Sequence, residues 1–327
     1  MKKTVKKKTI VLVCIAIIAI LIALNYIGPE VIKKRAPIKI GFVGSLTGRN
    51  SENSVAGRNG AILAIEQVNA SGGINGRPVE VIIKDDRLGL RTAQQAVQEL
   101  INAGVSAIIG HMTSSMAMAT LPMINDAKIT TISPTASTDK LSGLDDYLLR
   151  MTVSTKLPAT EQGRYLFHDL GIKKAAVIYD LSNPDYTRNY YEIFKSAYET
   201  AGGRIVHTAT FTSGKPTAYP ELIWNILNSN PEGLLTIASS LETALICQHL
   251  SIAHSKMQVF ATGWAFSPEL LQHGGASVEN VILLVSYNKD NKDKRFLEFK
   301  EQFRKRFDQV PNYAATYSYE AAQVLVF

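Results

Sequence analysis

Cysteine is nearly absent: the 327 residues include only Cys14 and Cys247. That excludes a disulfide scaffold. Tryptophan also occurs twice, and charged residues make up 19% of the chain against 46% apolar. Such proportions exclude a disordered or collagen-like chain and describe a globular protein. No phosphate loop of the G-x-x-x-x-G-K-S/T type occurs, and Gly41 and Gly44 lack the third glycine of a dinucleotide fingerprint. The six histidines show no metal-ligand spacing; His249 and His254 are five apart, off one helical face. Asp85 and Asp86 read as a turn at a strand end. Ser114 and His111, three apart in one loop, are not arranged as a nucleophile and its base, and His111 reads as a structural histidine. The expectation is therefore a non-enzyme without cofactor or metal.

The formal net charge of +7 would fit a nucleic-acid binder, but it is misplaced for one. Residues 1–35 hold eight basic side chains and one acid, leaving 27 of each sign from Ala36 onward. A neutral body lacks the footprint that phosphate backbones select, so no nucleic acid is expected. The basic cluster instead precedes residues 10–24, fifteen positions without a polar side chain. Lysines followed by a short apolar run mark a secretory leader or a membrane anchor. No convincing pair of small residues marks a cleavage point, so the reading adopted is an uncleaved anchor, with a cleaved leader as the alternative. Both put the body outside the cytoplasm. Cys14 falls inside this run, which leaves Cys247 without a partner in the exported part and reading as a buried core thiol.

About 150 residues per domain gives this length two domains. From residue 38 on, β-branched runs alternate with helical periodicity: strands at 38–44, 79–84, 107–109 and 129–132, with helices at 56–69, 92–103 and 116–127 between them. The rhythm resumes at 161–170 and continues to a strand at 281–285. Continuous apolar strands separated by helices mean parallel sheets covered on both faces, an α/β fold of the doubly wound kind. Two interruptions, at 150–158 and 286–293, read as crossings between halves. The expected organisation is a leader or anchor at 1–35, one lobe from 36–155 plus 287–327, and a second from 156–286. The apolar run ending at Phe327 without a cap reads as a helix cut short, with a final segment missing.

Ligands of open parallel sheets bind beyond the carboxyl ends of the strands. The loops expected there are 45–48, 85–86, 110–115, 133–138, 180–183, 239–240 and 262–264. The first half supplies small hydroxyls at helix starts, among them Thr113, Ser114, Thr135 and Ser137; the second supplies Ser240, Tyr186 and Trp264. Hydroxyls at helix starts serve as N-caps, but together with free N–H groups and the helix dipole they also suit a carboxylate.

These loops carry a resemblance. IGFVGSLTG at 40–48, NASGGINGRPVEVIIKDD at 69–86, IIGHMTSS at 108–115 and ISPTAS at 132–137 resemble, in order and spacing, the solute-binding proteins of branched-chain amino-acid ABC transporters. The similarity runs from Pro37 to Phe327. It implies the type I periplasmic binding fold, two hinged lobes joined by three crossings and closing over a small ligand, the third crossing lying in the missing segment. It also implies delivery to ABC permease subunits. By the same resemblance Ser114 falls on the carboxylate-binding serine, Thr135 on a position offering backbone groups, and Ser137 on a hydroxyl shared by the ligand's two charged ends. Tyr186 approximates the tyrosine covering the ligand from the second lobe.

Two positions depart from the family. Asn53 stands where a shielding tyrosine is usual, and Trp264 where an acid pairs with the ligand's ammonium. Asp180, Asp185 or Glu242 are candidate substitutes for that acid; otherwise the ligand is an aromatic or aliphatic carboxylate without an amine. The expected function is capture of an amino acid or related small carboxylate for transport, with a ligand-sensing receptor module of the same fold as the alternative.

Overall fold

The computed structural model describes residues 36–326, and Ile17 in isolation. The anchor expected at 1–35, with Cys14, lies outside the described residues. Among those described, no helix is long and apolar enough to cross a membrane.

The first sheet grows from the run IKIGFVG, which forms β1 (Ile38–Gly44). Its side chains alternate between two apolar layers, as strand geometry requires. Ile40 and Phe42 pack beneath α1 (Glu52–Ala70) and α10 (Tyr313–Val326), whereas Val43 faces α2 (Leu90–Asn102) and α3 (Ser114–Ala127). β2 (Val79–Asp85), β3 (Ala107–Ile109), β4 (Thr131–Ser133) and β5 (Leu148–Arg150) complete it in the order β2-β1-β3-β4-β5, every pair parallel. α1 and α10 approach so closely that a methyl group on Gly60 would strike the Ala315 carbonyl. The Asn-Gly pair ahead of β2 forms a tight reversal: Ile74 and Arg77 exchange both backbone hydrogen bonds, with φ of 51° at Asn75 and 74° at Gly76. Those angles are the reason for Asn and Gly at these positions.

The second sheet repeats the plan with β6 (Lys174–Asp180), β7 (Arg204–Phe211), β8 (Gly233–Ile237), β9 (Gln258–Thr262) and β10 (Ile282–Leu284), ordered β10-β9-β8-β6-β7 and again parallel. Ala175, Val177 and Tyr179 face α4 (Lys156–His168) and α5 (Pro184–Thr200). Ala176 and Ile178 face α6 (Tyr219–Asn228), α7 (Ser240–Ile252) and α8 (Pro268–Gly274). Cys247 lies in that layer, 2% exposed, and burial pushes its thiol up to about 12. α9 (Lys294–Phe307) sets Phe299 and Phe303 against Leu63 of α1 and Ala315 of α10.

Two expectations need correction. β5 was not expected, because its three residues carry no periodicity. The stretch at 150–158, read as an interruption of the rhythm, is in part helical: α4 begins at Lys156, and Pro158 sits in its first turn. A proline is tolerated there because the first-turn N–H groups have no intrahelical partner.

Candidate functional site

The carboxyl edges of the two sheets face each other, and hydrogen bonds join them along both rims. On one rim Ser115 N–H donates to Asn183 Oδ1 (3.0 Å), and Asp185 N–H donates back to Ser115 Oγ (3.0 Å). Asp139 N–H donates to Asn189 Oδ1 (2.9 Å), and Lys140 pairs with Asp185 (2.9 Å). On the other rim Ser239 Oγ donates to Asn50 Oδ1 (3.0 Å), Ser240 Oγ donates to Glu52, and Arg49 Nε lies 3.3 Å from Glu242. Between the rims is a cavity of about 100 Å³.

Four helix starts meet at this cavity: Asn53 and Ser54 from α1, Thr113 and Ser114 from α3, Thr155 ahead of α4, and Asn183 ahead of α5. Each brings the positive end of a helix dipole. Ser114 is 2% exposed and accepts through Oγ from the N–H groups of Ser137 (3.1 Å) and Thr138 (3.2 Å). Both contacts use its oxygen, so its own proton remains to donate. Thr113 Oγ1 and Asn50 Nδ2 are shielded from water and have no partner. Thr135 lines the cavity while its hydroxyl donates to the Met112 carbonyl (2.6 Å), fixing one loop on the other.

Aromatic rings form the remaining walls. Tyr186 and Trp264 meet edge to face with centroids 5.8 Å apart, beside Tyr190 and Phe266. Tyr287, Tyr313 and Tyr317 line the cavity too, with the Tyr287 ring 6.4 Å from that of Phe266. Burial pushes the phenols of Tyr186, Tyr190 and Tyr313 well up, so they are neutral at any physiological pH. Among the described residues no charged side chain lines the cavity.

Residues 37–326 match the periplasmic binding protein family. The chain belongs to that family. Among its relatives, the leucine-, isoleucine-, valine-, threonine- and alanine-binding protein of Pseudomonas aeruginosa is 27% identical over 169 residues, 51% of this chain and 45% of that protein. The match thus spans less than half the relative's length. Two solved structures share the fold. The branched-chain amino-acid substrate-binding protein LivJ of Streptococcus pneumoniae, in complex with isoleucine, is 23% identical with a TM-score of 0.81 over 89% of this chain and 83% of its own. A Rhodopseudomonas palustris ABC-transporter solute-binding protein, in complex with benzoate, is 18% identical with a TM-score of 0.79 over 89% and 79%.

Seven of the eight candidate residues drawn from the sequence line the cavity: Asn53, Thr113, Ser114, Thr135, Ser137, Tyr186 and Trp264. Ser240 does not; its hydroxyl is taken up between Glu52 and Ser267. None of the three acids offered as a partner for an ammonium reaches the cavity. Asp180 accepts from the N–H and hydroxyl groups of Ser182 and Ser213, Asp185 holds Lys140, and Glu242 takes the Tyr219 hydroxyl and Arg49. The loops at 45–48 and 85–86 are bound to each other instead: Ser45 Oγ donates to Asp86 (2.6 Å), and Leu46 N–H to Asp85 (2.9 Å). Asp86 also holds the buried His111 ring at 2.7 Å. Burial would raise the Asp86 carboxyl, but His111, Ser45 and the Leu88 N–H outweigh it and hold the group below its ordinary range.

The ring that Asn53 cannot supply comes from elsewhere. Asn53 Nδ2 donates to the Tyr313 hydroxyl (3.1 Å) and its Oδ1 accepts from Asn312 Nδ2 (2.8 Å), so the amide holds a tyrosine of α10 at the cavity wall. Sequence reasoning missed Tyr287, which lies within the second crossing, and Tyr313 and Tyr317, which follow it. The one available signal was the i, i+4 spacing of Tyr313 and Tyr317, and that spacing also describes an ordinary core face.

Proposed function

We propose that this protein is the solute-capturing component of an ABC transporter, closing two lobes over an amino acid or related small carboxylate and handing it to a membrane permease. One observation carries the reading: a cavity walled by hydroxyls, helix starts and rings lies between two sheets whose rims are hydrogen-bonded to each other. A ligand that touches both walls favours the closed arrangement because only there does it gain both sets of contacts. Lobe 1 comprises 36–155 and 287–327, lobe 2 comprises 156–286, and the stretches at 150–158 and 286–293 act as hinge. Thr113 and Ser114 bind the carboxylate, Tyr186 and Trp264 cover the ligand body, and Asn53 acts through Tyr313. The family's periplasmic character puts capture outside the cytoplasm, with the N-terminal apolar segment as the tether to the membrane.

The test is calorimetric titration of the full chain with the common amino acids and a panel of aliphatic and aromatic carboxylates. At least one is expected to bind with a Kd in the micromolar range or below, and to raise the Tm. A folded protein that binds none of them is not a carrier of this class.

A further inference from the structure

We infer that the cavity takes an amine-free monocarboxylate with a single-ring or branched apolar body and discriminates against zwitterionic amino acids, a narrowing that rests on the capture reading. The inference follows from what the lining has left to offer. Its side-chain amide oxygens are already engaged: Asn53 Oδ1 by Asn312, Asn183 Oδ1 by the Ser115 N–H, and Asn50 Oδ1 by Ser239. Among its unengaged groups, the Ser114 proton and Asn50 Nδ2 can only donate, and the Thr113 hydroxyl can donate or accept. A carboxylate accepts from all three and donates nothing; an ammonium needs three acceptors, and of these groups only the Thr113 hydroxyl oxygen can accept.

Charge points the same way. Among the described residues no carboxylate lines the cavity, and the four helix starts that line it are positive ends, which favour an anion and oppose a cation. The ring faces could attract an ammonium, but the rings and the helix ends surround one small space, so an amine held against a ring stays within reach of their repulsion. The ligand body is bounded by volume. An apolar cavity of about 150 Å³ takes up benzene, so about 100 Å³ walled by seven rings admits nothing larger than one ring or a short branched chain.

The test uses matched pairs differing only in the amine: 4-methylpentanoate against L-leucine and 3-phenylpropanoate against L-phenylalanine, with benzoate alongside, each titrated calorimetrically into the full chain. At least one amine-free member is expected to bind at least tenfold tighter than its amino acid. An amino acid binding as tightly as its counterpart, or tighter, overturns the inference and leaves the capture reading standing. If no compound of either kind binds a chain whose circular dichroism shows it folded, both fall together.

Discussion

On the proposed reading Ser114 does two jobs with one hydroxyl. Its oxygen gathers the N–H groups of Ser137 and Thr138, fixing the 133–138 loop against α3, and its proton is left for a ligand. A hydrogen bond to a charged group contributes about 1.5–3 kcal/mol. Ser114→Ala is therefore expected to weaken carboxylate binding by about tenfold or more in a calorimetric titration, and an unchanged Kd would remove Ser114 from the site. On the proposed reading Trp264 governs selectivity rather than strength. Trp264→Glu puts a carboxylate beside Tyr186, where the cavity has none, and is expected to raise L-leucine affinity at least tenfold while weakening 3-phenylpropanoate. A variant that keeps the parent's preference would show that the ring's position does not decide ligand class.

At the scale of elements, the site depends on helix placement. α1 carries Asn53 to the cavity and α10 carries the tyrosine that Asn53 holds, so the two must cross at a fixed distance. Gly60 allows that crossing. Gly60→Ala forces its methyl against backbone rather than a flexible side chain, and overpacking of this sort costs about 1–3 kcal/mol. Urea unfolding is expected to show that loss as a lower midpoint; an unchanged or higher midpoint would mean that the helices separate freely. Packing also governs which elements could be read in advance. The strand Ile38–Gly44 was legible to the residue, because burial on both faces writes a continuous apolar run. Helix starts were read late, at 116 rather than Ser114 and at 56 rather than Glu52, because first turns that face another lobe carry polar residues with no amphipathic signal. The same first turns supplied the candidate site, since hydroxyls at strand ends could be recognised without knowing where each helix begins. What the chain could not display was convergence. Tyr313 reaches the cavity only because α10 packs on α1, and Ser240 is drawn away from it only because Glu52 stands opposite.

Across the whole molecule that last contact is expected to tie the proposed closure to pH. Glu52, in the first turn of α1, meets Ser240 of α7 and Ser267 and Glu269 at the start of α8, so two carboxyls from opposite lobes share one confined space. Tyr313 of α10 faces the same group as a neutral phenol, and the nearby Arg49 is engaged by Glu242. Burial, and after it the Glu269 carboxyl, push Glu52 from 4.5 up to about 8. Separated lobes return Glu52 to water and to its ordinary value, so closing takes up a proton between those limits. The sign follows from linkage: the closed arrangement is fully favoured below about pH 4.5, loses ground as pH rises, and levels off above about pH 8. Ligand binding that requires closure must weaken in step, by at most about tenfold per pH unit. Calorimetric titrations from about pH 5 to about pH 9 are expected to show Kd rising and then reaching a plateau. Glu52→Gln, which keeps the oxygen facing Ser240 but does not ionise, is expected to flatten that curve towards its low-pH value. A wild-type Kd that stays constant across the range would mean that the two carboxyls do not come together when ligand is held.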